Sequence, residues 1–149
     1  MHILFTDDNY SERLLFRAII GRYEEQIQLS LADGYHELFT FLETNPVLPD
    51  IIFLDFDMPD KSGMDCLKQL RAIEKLKHLP VIIYSNTASH WKVNAAYNYG
   101  ADFYIEKPVD MEEVLTILEW LMQNPPKQHL TTTRENFLLT AFNLPGQRN

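Results

Sequence analysis

The feature of this chain that most constrains its fold is an alternation of short apolar runs with segments of helical periodicity. Five runs have the length and composition of strands, and each is followed by a segment whose apolar residues recur every three or four positions. The predicted strands are His2–Thr6, Ile27–Ala32, Asp50–Phe56, Val81–Tyr84 and Phe103–Glu106. The predicted helices are Tyr10–Tyr23, Tyr35–Leu42, Gly63–Leu76, Ser89–Tyr99 and a last helix capped by Asp110. Five successive strand–helix units demand parallel strands and right-handed crossovers, which predicts a doubly wound α/β sandwich with a five-stranded parallel sheet.

The length of the chain fits one such domain. Its 149 residues are too few for two ordinary domains, and a hydrophobic fraction of 46% is enough for a sizeable core. The segment Gln123–Lys127 (QNPPK) interrupts the pattern after the fifth helix. We therefore predict one domain over residues 1–123, followed by an extension over 124–149 that is too short for an output domain.

Charge and composition exclude several classes of partner. Thirteen Lys and Arg against twenty-one Asp and Glu give a net charge of −8, whereas nucleic acid and anionic membranes favour clustered basic residues. The apolar runs are far shorter than the ~20 residues of a membrane helix, and acids at positions 7 and 8 argue against a signal peptide. The single cysteine, Cys66, is expected to be a small buried hydrophobe in a protein of the reducing cytoplasm.

Polar side chains stand where the predicted strands end. They are Asp7 and Asp8 after the first strand, Asp55 and Asp57 after the third, Ser85 after the fourth and Lys107 after the fifth. Because ligands bind at the carboxyl ends of parallel strands, these side chains converge if the first and third strands are neighbours. Three carboxylates in one cleft repel one another and are costly to desolvate, and a hard divalent cation such as Mg²⁺ offsets that cost.

A cation and a hydroxyl opposite such a metal describe a site for a phosphoryl group. Mg²⁺ needs few protein ligands, and Lys107 and Ser85 would neutralise and orient the phosphoryl oxygens. One of the carboxylates would then be the nucleophile and form an acyl phosphate. Taken singly, these residues are more often helix caps or solvated charges. It is the occurrence of acids, a base and a hydroxyl together at strand ends that favours the site.

Four segments carry these residues: ILFTDDN (Ile3–Asn9), DIIFLDFDMPDKSGMD (Asp50–Asp65), PVIIYSN (Pro80–Asn86) and GADFYIEKPVD (Gly100–Asp110). Together they resemble the receiver domain of two-component response regulators, with its CheY-like, flavodoxin-like fold. The resemblance covers about residues 1–123 and implies the strand order 2-1-3-4-5. It also implies a single-domain response regulator in a phosphorelay, which signals by changing its contacts with a downstream protein.

The resemblance assigns roles to the acidic residues. Asp55 would be the phosphoacceptor, taking a phosphoryl group from a phosphohistidine on a sensor histidine kinase or a histidine phosphotransfer protein. Asp8 and Asp55 would ligate Mg²⁺ directly, together with the backbone carbonyl of Asp57, and Asp7 would act through water. Mn²⁺ is the alternative ion. The protein would promote its own phosphorylation and slow dephosphorylation, and we do not expect it to be an enzyme with a separate substrate.

The resemblance also implies a conformational switch. Ser85 would turn inward to bond one phosphate oxygen while Lys107 pairs with another, and Tyr104 would swing inward behind the fourth strand. The Lys107–Pro108 peptide bond is expected to be cis, as is usual in the family.

Three further positions are expected to tune the rates of phosphorylation and phosphate loss. Asp57 and Thr87 occupy the variable positions that set phosphate lifetime in the family. Asn86 departs from the small Ala or Gly that is common there.

Two other functions stay open at this point. The sequence Asp55-Phe56-Asp57 also resembles the nucleophile motif of haloacid-dehalogenase-type phosphatases, although those enzymes carry their second acid pair late in the chain and have a cap. A pseudo-receiver that keeps the fold without accepting phosphate is the second alternative. The intact set of Asp8, Asp55, Ser85 and Lys107 argues against it.

The output is expected to be a protein contact. The inward stripe of the last helix is already aliphatic, which makes Trp120 a candidate for a partner or homodimer contact. In the extension, Thr132 is a predicted cap for a short helix, and the apolar stretch from Phe137 to Phe142 is expected to pack on the domain or across a homodimer.

Overall fold

Five parallel strands form a single sheet in the computed structural model, which describes residues 1–108, 110–125 and 132–147. The strands are β1 (His2–Thr6), β2 (Gln28–Ala32), β3 (Ile51–Leu54), β4 (Val81–Ser85) and β5 (Phe103–Glu106). Their order across the sheet is β2-β1-β3-β4-β5, and every neighbouring pair is parallel. The predicted fold class and strand order are therefore confirmed.

Helices alternate with the strands along the chain. They are α1 (Tyr10–Ile20), α2 (Tyr35–Thr44), α3 (Gly63–Ala72), α4 (His90–Asn98), α5 (Met111–Gln123) and a short α6 (Arg134–Phe137). Two predicted helices end earlier than expected: α1 passes into a 3₁₀ turn at Gly21–Tyr23, and α3 stops where Ile73 becomes extended. The predicted break begins where α5 ends, but Pro126 and Lys127 lie outside the described residues. None of the helices within the described ranges is long and apolar enough to cross a membrane.

The core consists of two apolar layers, one on each face of the sheet. Strand residues alternate between them, so that Leu4 packs in the layer of α2, α3 and α4, while Ile3 and Phe5 pack in the layer of α1 and α5. All four residues of β3 are buried, as a strand covered on both faces requires. Cys66 is fully buried in the first layer, as expected, and burial raises the pKa of its thiol to about 12.

The inward face of α1 cannot be identified from the spacing of its apolar residues. Leu14 and Leu15 are exposed, whereas Phe16, Ile19 and Ile20 are buried. Apolar residues surround much of this helix, so spacing alone does not identify the stripe, and the stack of Phe16 on Phe5 decides it.

The described part of the extension packs back on the domain. Phe137 is buried, and Leu139 and Leu144 join the core layer of α5. Trp120 is also buried, because its Nε1 donates a 3.0 Å hydrogen bond to the Pro145 carbonyl and its ring meets Phe103 edge-on. The prediction that Trp120 is available to a partner is therefore wrong.

Two local details of the sequence prediction are also wrong. Thr133, not Thr132, stands at the N-cap of α6, and it makes no side-chain capping bond. The Lys107–Pro108 peptide bond is trans, since the described residues contain no cis bond, and trans is the lower-energy form of an X-Pro bond.

Gly63 determines how closely α3 approaches the end of β3. Its amide donates a 3.0 Å hydrogen bond to the Phe56 carbonyl, and a Cβ at this position would lie 2.2 Å from the Asp55 carbonyl oxygen. Real Cβ atoms do not approach backbone so closely, so any side chain here would push α3 away from Asp55.

We predict that Gly63→Ala lowers the free energy of unfolding by about 1–3 kcal/mol, because the added methyl forces a backbone shift. The matched control is Gly21→Ala, where a Cβ would meet nothing within 4 Å and the backbone is right-handed helical. That control should be neutral or stabilising by about 0.4–1 kcal/mol. Urea denaturation measures both, and equal stabilities for the two variants would contradict the steric role of Gly63.

Candidate functional site

Three carboxylates converge at the carboxyl ends of β1 and β3. These strands are neighbours, with Thr6 paired to Leu54, so the residues that follow them meet at one edge of the sheet. Asp7, Asp8 and Asp55 each offer a carboxylate oxygen, and the three oxygens lie within 4.8 Å of one another. Asp7 and Asp55 are buried, whereas Asp8 is exposed. This is the convergence that the strand-end acids predicted.

The ammonium of Lys107 enters the same cluster from the end of β5. Its Nζ lies 2.8 Å from Asp7 Oδ2, 3.6 Å from Asp55 Oδ1 and 3.7 Å from Glu12 Oε2. The Lys107 amide also donates to the Ser85 carbonyl at 2.7 Å, which fixes the backbone from which the side chain extends. Lys107 therefore bridges the buried acids of β1 and β3. Glu12, on the first turn of α1, is a member of this charge cluster that the sequence analysis missed.

The oxygens of Asp7 are largely occupied by the protein. One accepts from Lys107, and the other accepts a 2.9 Å hydrogen bond from the Asn9 amide. Asp8, in contrast, makes no hydrogen bond or ion pair within the described ranges, and Asp55 has only the longer contact to Lys107. The carboxylates with open coordination positions are thus those of Asp8 and Asp55.

Burial dominates the ionisation of Asp55. It raises the pKa of Asp55 to about 7, and the negative charges of Asp7, Asp57 and Asp8 add to the shift while Lys107 opposes it. Burial acts in the opposite sense on Lys107, but its bond to Asp7 and the charge of Asp55 outweigh it, so the pKa of Lys107 is raised. Lys107 therefore stays charged, and Asp55 lacks enough positive charge around it to be fully ionised at neutral pH.

Ser85 and Tyr104 lie behind this cluster. Ser85 ends β4 and is fully buried, and its hydroxyl makes no well-formed hydrogen bond in the described part of the chain. Burial raises the pKa of Tyr104 to about 12, and the nearby Ser85 hydroxyl opposes that shift. The ring of Tyr104 is fully buried as well, and its hydroxyl donates a 2.6 Å bond to the Thr87 carbonyl. The aromatic side chain that was expected to swing inward is thus already inside, and the Ser85 hydroxyl at the end of the neighbouring strand is buried without a well-formed hydrogen bond in the described residues.

The three positions expected to tune the reaction rates are exposed around the site. Asn86 and Thr87 follow Ser85, and Asp57 lies two residues beyond Asp55. The carboxylate of Asp57 pairs with Lys92 of α4 at 2.5 Å. The Lys92 ammonium also lies over the ring of Phe56, 5.0 Å from its centroid. Sequence analysis missed Lys92, because only the fold brings the first turn of α4 to the loop after β3.

The chain belongs to the response regulator receiver domain family, whose model matches residues 3–119. It is 28% identical over 120 residues to the two-component response regulator ORR13 of Oryza sativa subsp. japonica. This alignment covers 80% of this chain and 97% of that protein. The chain is 31% identical over 103 residues to the DNA-binding transcriptional regulator NtrC of Proteus hauseri, covering 69% of this chain and 21% of that protein. The predicted family is confirmed, and two-component signalling is its context.

Solved structures show the same fold. The phosphorylated cyanobacterial phytochrome response regulator RcpA superposes with a TM-score of 0.74 at 20% identity, covering 85% of this chain and 96% of that chain. The Francisella response regulator 1452 receiver domain superposes with a TM-score of 0.65 at 27% identity, covering 84% and 98%. The Mn²⁺-bound form of Rcp1 gives 0.68 at 19% identity, covering 80% and 90%. The family match leaves the haloacid-dehalogenase alternative without support.

The raised pKa of Asp55 predicts how stability depends on pH. The native state holds a proton on Asp55 up to about pH 7, whereas the unfolded chain loses it near 3.8, so the Asp55 contribution is lost as the pH rises through that window. Asp55→Asn removes the penalty. In EDTA at pH 8 we expect this variant to be more stable than the wild type, by at most about 4 kcal/mol.

Urea denaturation between pH 4 and 8 measures this difference. It should fall below about 1 kcal/mol near pH 4, where Asp55 is protonated in the native state and about half protonated in the unfolded chain. Stability curves for wild type and Asp55→Asn that stay parallel across this range would contradict the assignment.

Proposed function

We propose that this protein is a single-domain response regulator that accepts a phosphoryl group on Asp55. The observation that carries the proposal is the cluster of Asp7, Asp8 and Asp55 around the ammonium of Lys107. A receiver domain works with histidine kinases or histidine phosphotransfer proteins, and one of these is the proposed donor. The proposed location is the cytoplasm, in line with a single buried cysteine.

The acidic cluster fits a divalent cation. It offers oxygen ligands only, and it places two buried carboxylates and one exposed one beside a single ammonium. Asp8, Asp55 and the backbone carbonyl of Asp57 would hold Mg²⁺ or Mn²⁺, with Asp7 acting through water. When bound, the ion supplies positive charge that favours ionised Asp55 and offsets the charge of the incoming phosphoryl group.

The chain's own residues would perform the transfer. A carboxylate oxygen of Asp55 forms a bond to phosphorus while the P–N bond of the donor phosphohistidine breaks. The electron pair of that bond goes to the imidazole nitrogen, which takes up a proton. Lys107 lies beside Asp55, where it can pair with a phosphoryl oxygen, and the Ser85 hydroxyl is available to donate to another. The product is an acyl phosphate, which water hydrolyses slowly.

Intact mass spectrometry tests the proposal and distinguishes it from the pseudo-receiver alternative. After incubation with Mg²⁺ and acetyl phosphate, we expect the wild type to gain the mass of one phosphoryl group. Asp55→Asn should gain none, and EDTA should prevent the gain in the wild type. Wild-type protein that stays unmodified under these conditions would favour the pseudo-receiver, and modification that persists in Asp55→Asn would place the phosphate elsewhere.

Asn86 provides a second test of the same site. It is exposed beside Ser85. There its side chain would restrict the approach of a donor or of water. We therefore expect Asn86→Ala to change the rate at which acetyl phosphate modifies Asp55. Equal rates for wild type and variant would remove this role.

Lys92, which pairs with Asp57, should weaken cation binding, since the Lys92 ammonium adds positive charge beside the acidic cluster. We expect Lys92→Met to raise the affinity for Mn²⁺ about two- to fivefold, the size of one exposed ion pair. Isothermal titration measures the affinity. Lys75→Met is the matched control, because Lys75 lies near Met1 and Pro49, at the amino ends of the strands and away from the acidic cluster. Equal affinities in both variants would show that Lys92 does not act on the site.

A further inference from the structure

The C-terminal segment (residues 132–147) covers the outer edge of the sheet. Leu138 forms a parallel bridge with Tyr104 of β5, and the Leu139 amide donates a 2.8 Å hydrogen bond to the Tyr104 carbonyl. Without this segment β5 would be an open edge, because β4 occupies its other side. The C-terminal segment therefore adds a single β-bridge at this edge, and it does so at the residue predicted to move in the switch.

Side chains anchor the C-terminal segment on both sides of this bridge. Phe137 is 1% exposed and packs edge-on against Tyr97 of α4, 5.2 Å between ring centroids, and against Tyr104 at 6.4 Å. Arg134 lies over the Tyr97 ring and donates to the side chains of Asn94 and Asn98.

On the α5 side, the Trp120 indole donates to the Pro145 carbonyl. The segment is thus tied to α4, β5 and α5 together.

Tyr104 connects this segment to the phosphorylation site. Its ring is in contact with Phe137 on one side, and its hydroxyl is bonded to the Thr87 carbonyl in the loop that follows Ser85. Rotation of Tyr104 towards solvent would break the bond to Thr87 and would displace Phe137. The docked segment therefore holds Tyr104 inside and holds the loop after β4 in its present position.

We propose that docking of the C-terminal segment and phosphorylation of Asp55 favour the same conformation, so that each strengthens the other. The sign follows from Ser85, whose buried hydroxyl makes no well-formed hydrogen bond within the described residues while Tyr104 is held inside. Its contact with the Tyr104 hydroxyl is close enough to oppose the rise that burial causes in the pKa of that phenol, but it does not meet the geometry of a hydrogen bond. An unsatisfied buried hydroxyl is costly, and a phosphate oxygen on Asp55 would relieve that cost. Because coupling between two sites is reciprocal, phosphorylation must tighten the segment as much as the segment favours phosphorylation. This inference rests on the proposed function.

Beryllofluoride, which mimics an acyl phosphate, tests the coupling on the full chain with Mg²⁺ present. Fluorine NMR gives the concentration for half saturation, and we expect Phe137→Ala to raise it about fivefold or more, the lower end of typical allosteric coupling. Arg134→Ala, which leaves no cavity in the core, should raise it less. Hydrogen exchange at the Leu139 amide should slow when beryllofluoride binds the wild type.

Phe142→Ala is the matched control, because Phe142 belongs to the same segment and is 86% exposed. It should bind beryllofluoride as the wild type does, and thermal unfolding shows that each variant is folded. Suppose that the wild type binds beryllofluoride, that Phe137→Ala, Arg134→Ala and Phe142→Ala all reach half saturation at the same concentration as the wild type, and that exchange at the Leu139 amide does not change. The coupling is then overturned, and the proposed function stands. If the wild type does not bind, or Asp55→Asn still binds, the proposed function fails and the coupling fails with it.

Discussion

The ion pair that Lys107 makes with Asp7 and Asp55 is the interaction on which this site depends. Buried carboxylates at neighbouring strand ends repel one another, and a single ammonium 2.8 Å from one and 3.6 Å from the other offsets part of that repulsion. Lys107 is 100 residues from Asp7 in the chain, so the pair forms only when β1, β3 and β5 are assembled in one sheet. The remaining negative charge, shared by Asp55 and exposed Asp8, is what fits the site to a divalent cation.

This arrangement sets stability against function at Asp55. Burial raises the pKa of Asp55 to about 7, so an ionised Asp55 is costly in the folded protein without further positive charge. Under the proposed function, the same cost would make Asp55 responsive, because a bound cation or a phosphoryl group would change the charge balance at this one residue. Gly63 contributes by its lack of a side chain, since it lets α3 begin against the backbone of Asp55 and Phe56.

Much of the fold and the centre of the site could be predicted from the sequence. The polar residues that end the buried strands were sufficient to locate the site, because parallel strands bring their carboxyl ends together regardless of the length of the connecting loops. The buried face of α1 could not be predicted, since apolar residues occur on more than one of its faces and only the Phe5–Phe16 stack selects one. The prediction for Trp120 was wrong and Lys92 was missed for another reason: their partners, Pro145 and Asp57, lie far away in the chain.

The C-terminal segment packs against α4, β5 and α5 of the receiver domain. It pairs with the edge of the sheet at Tyr104, whose hydroxyl contacts the loop after Ser85.

The central claim is that the acidic cluster holds the cation needed for phosphorylation of Asp55. Anomalous diffraction from crystals grown with Mn²⁺ and beryllofluoride tests it most directly. We predict one strong anomalous peak between the carboxylates of Asp8 and Asp55. The Lys107 ammonium should pair with a fluorine atom of the beryllofluoride. A folded protein whose Mn²⁺ peak lies away from these residues, or that shows no peak, would contradict the claim.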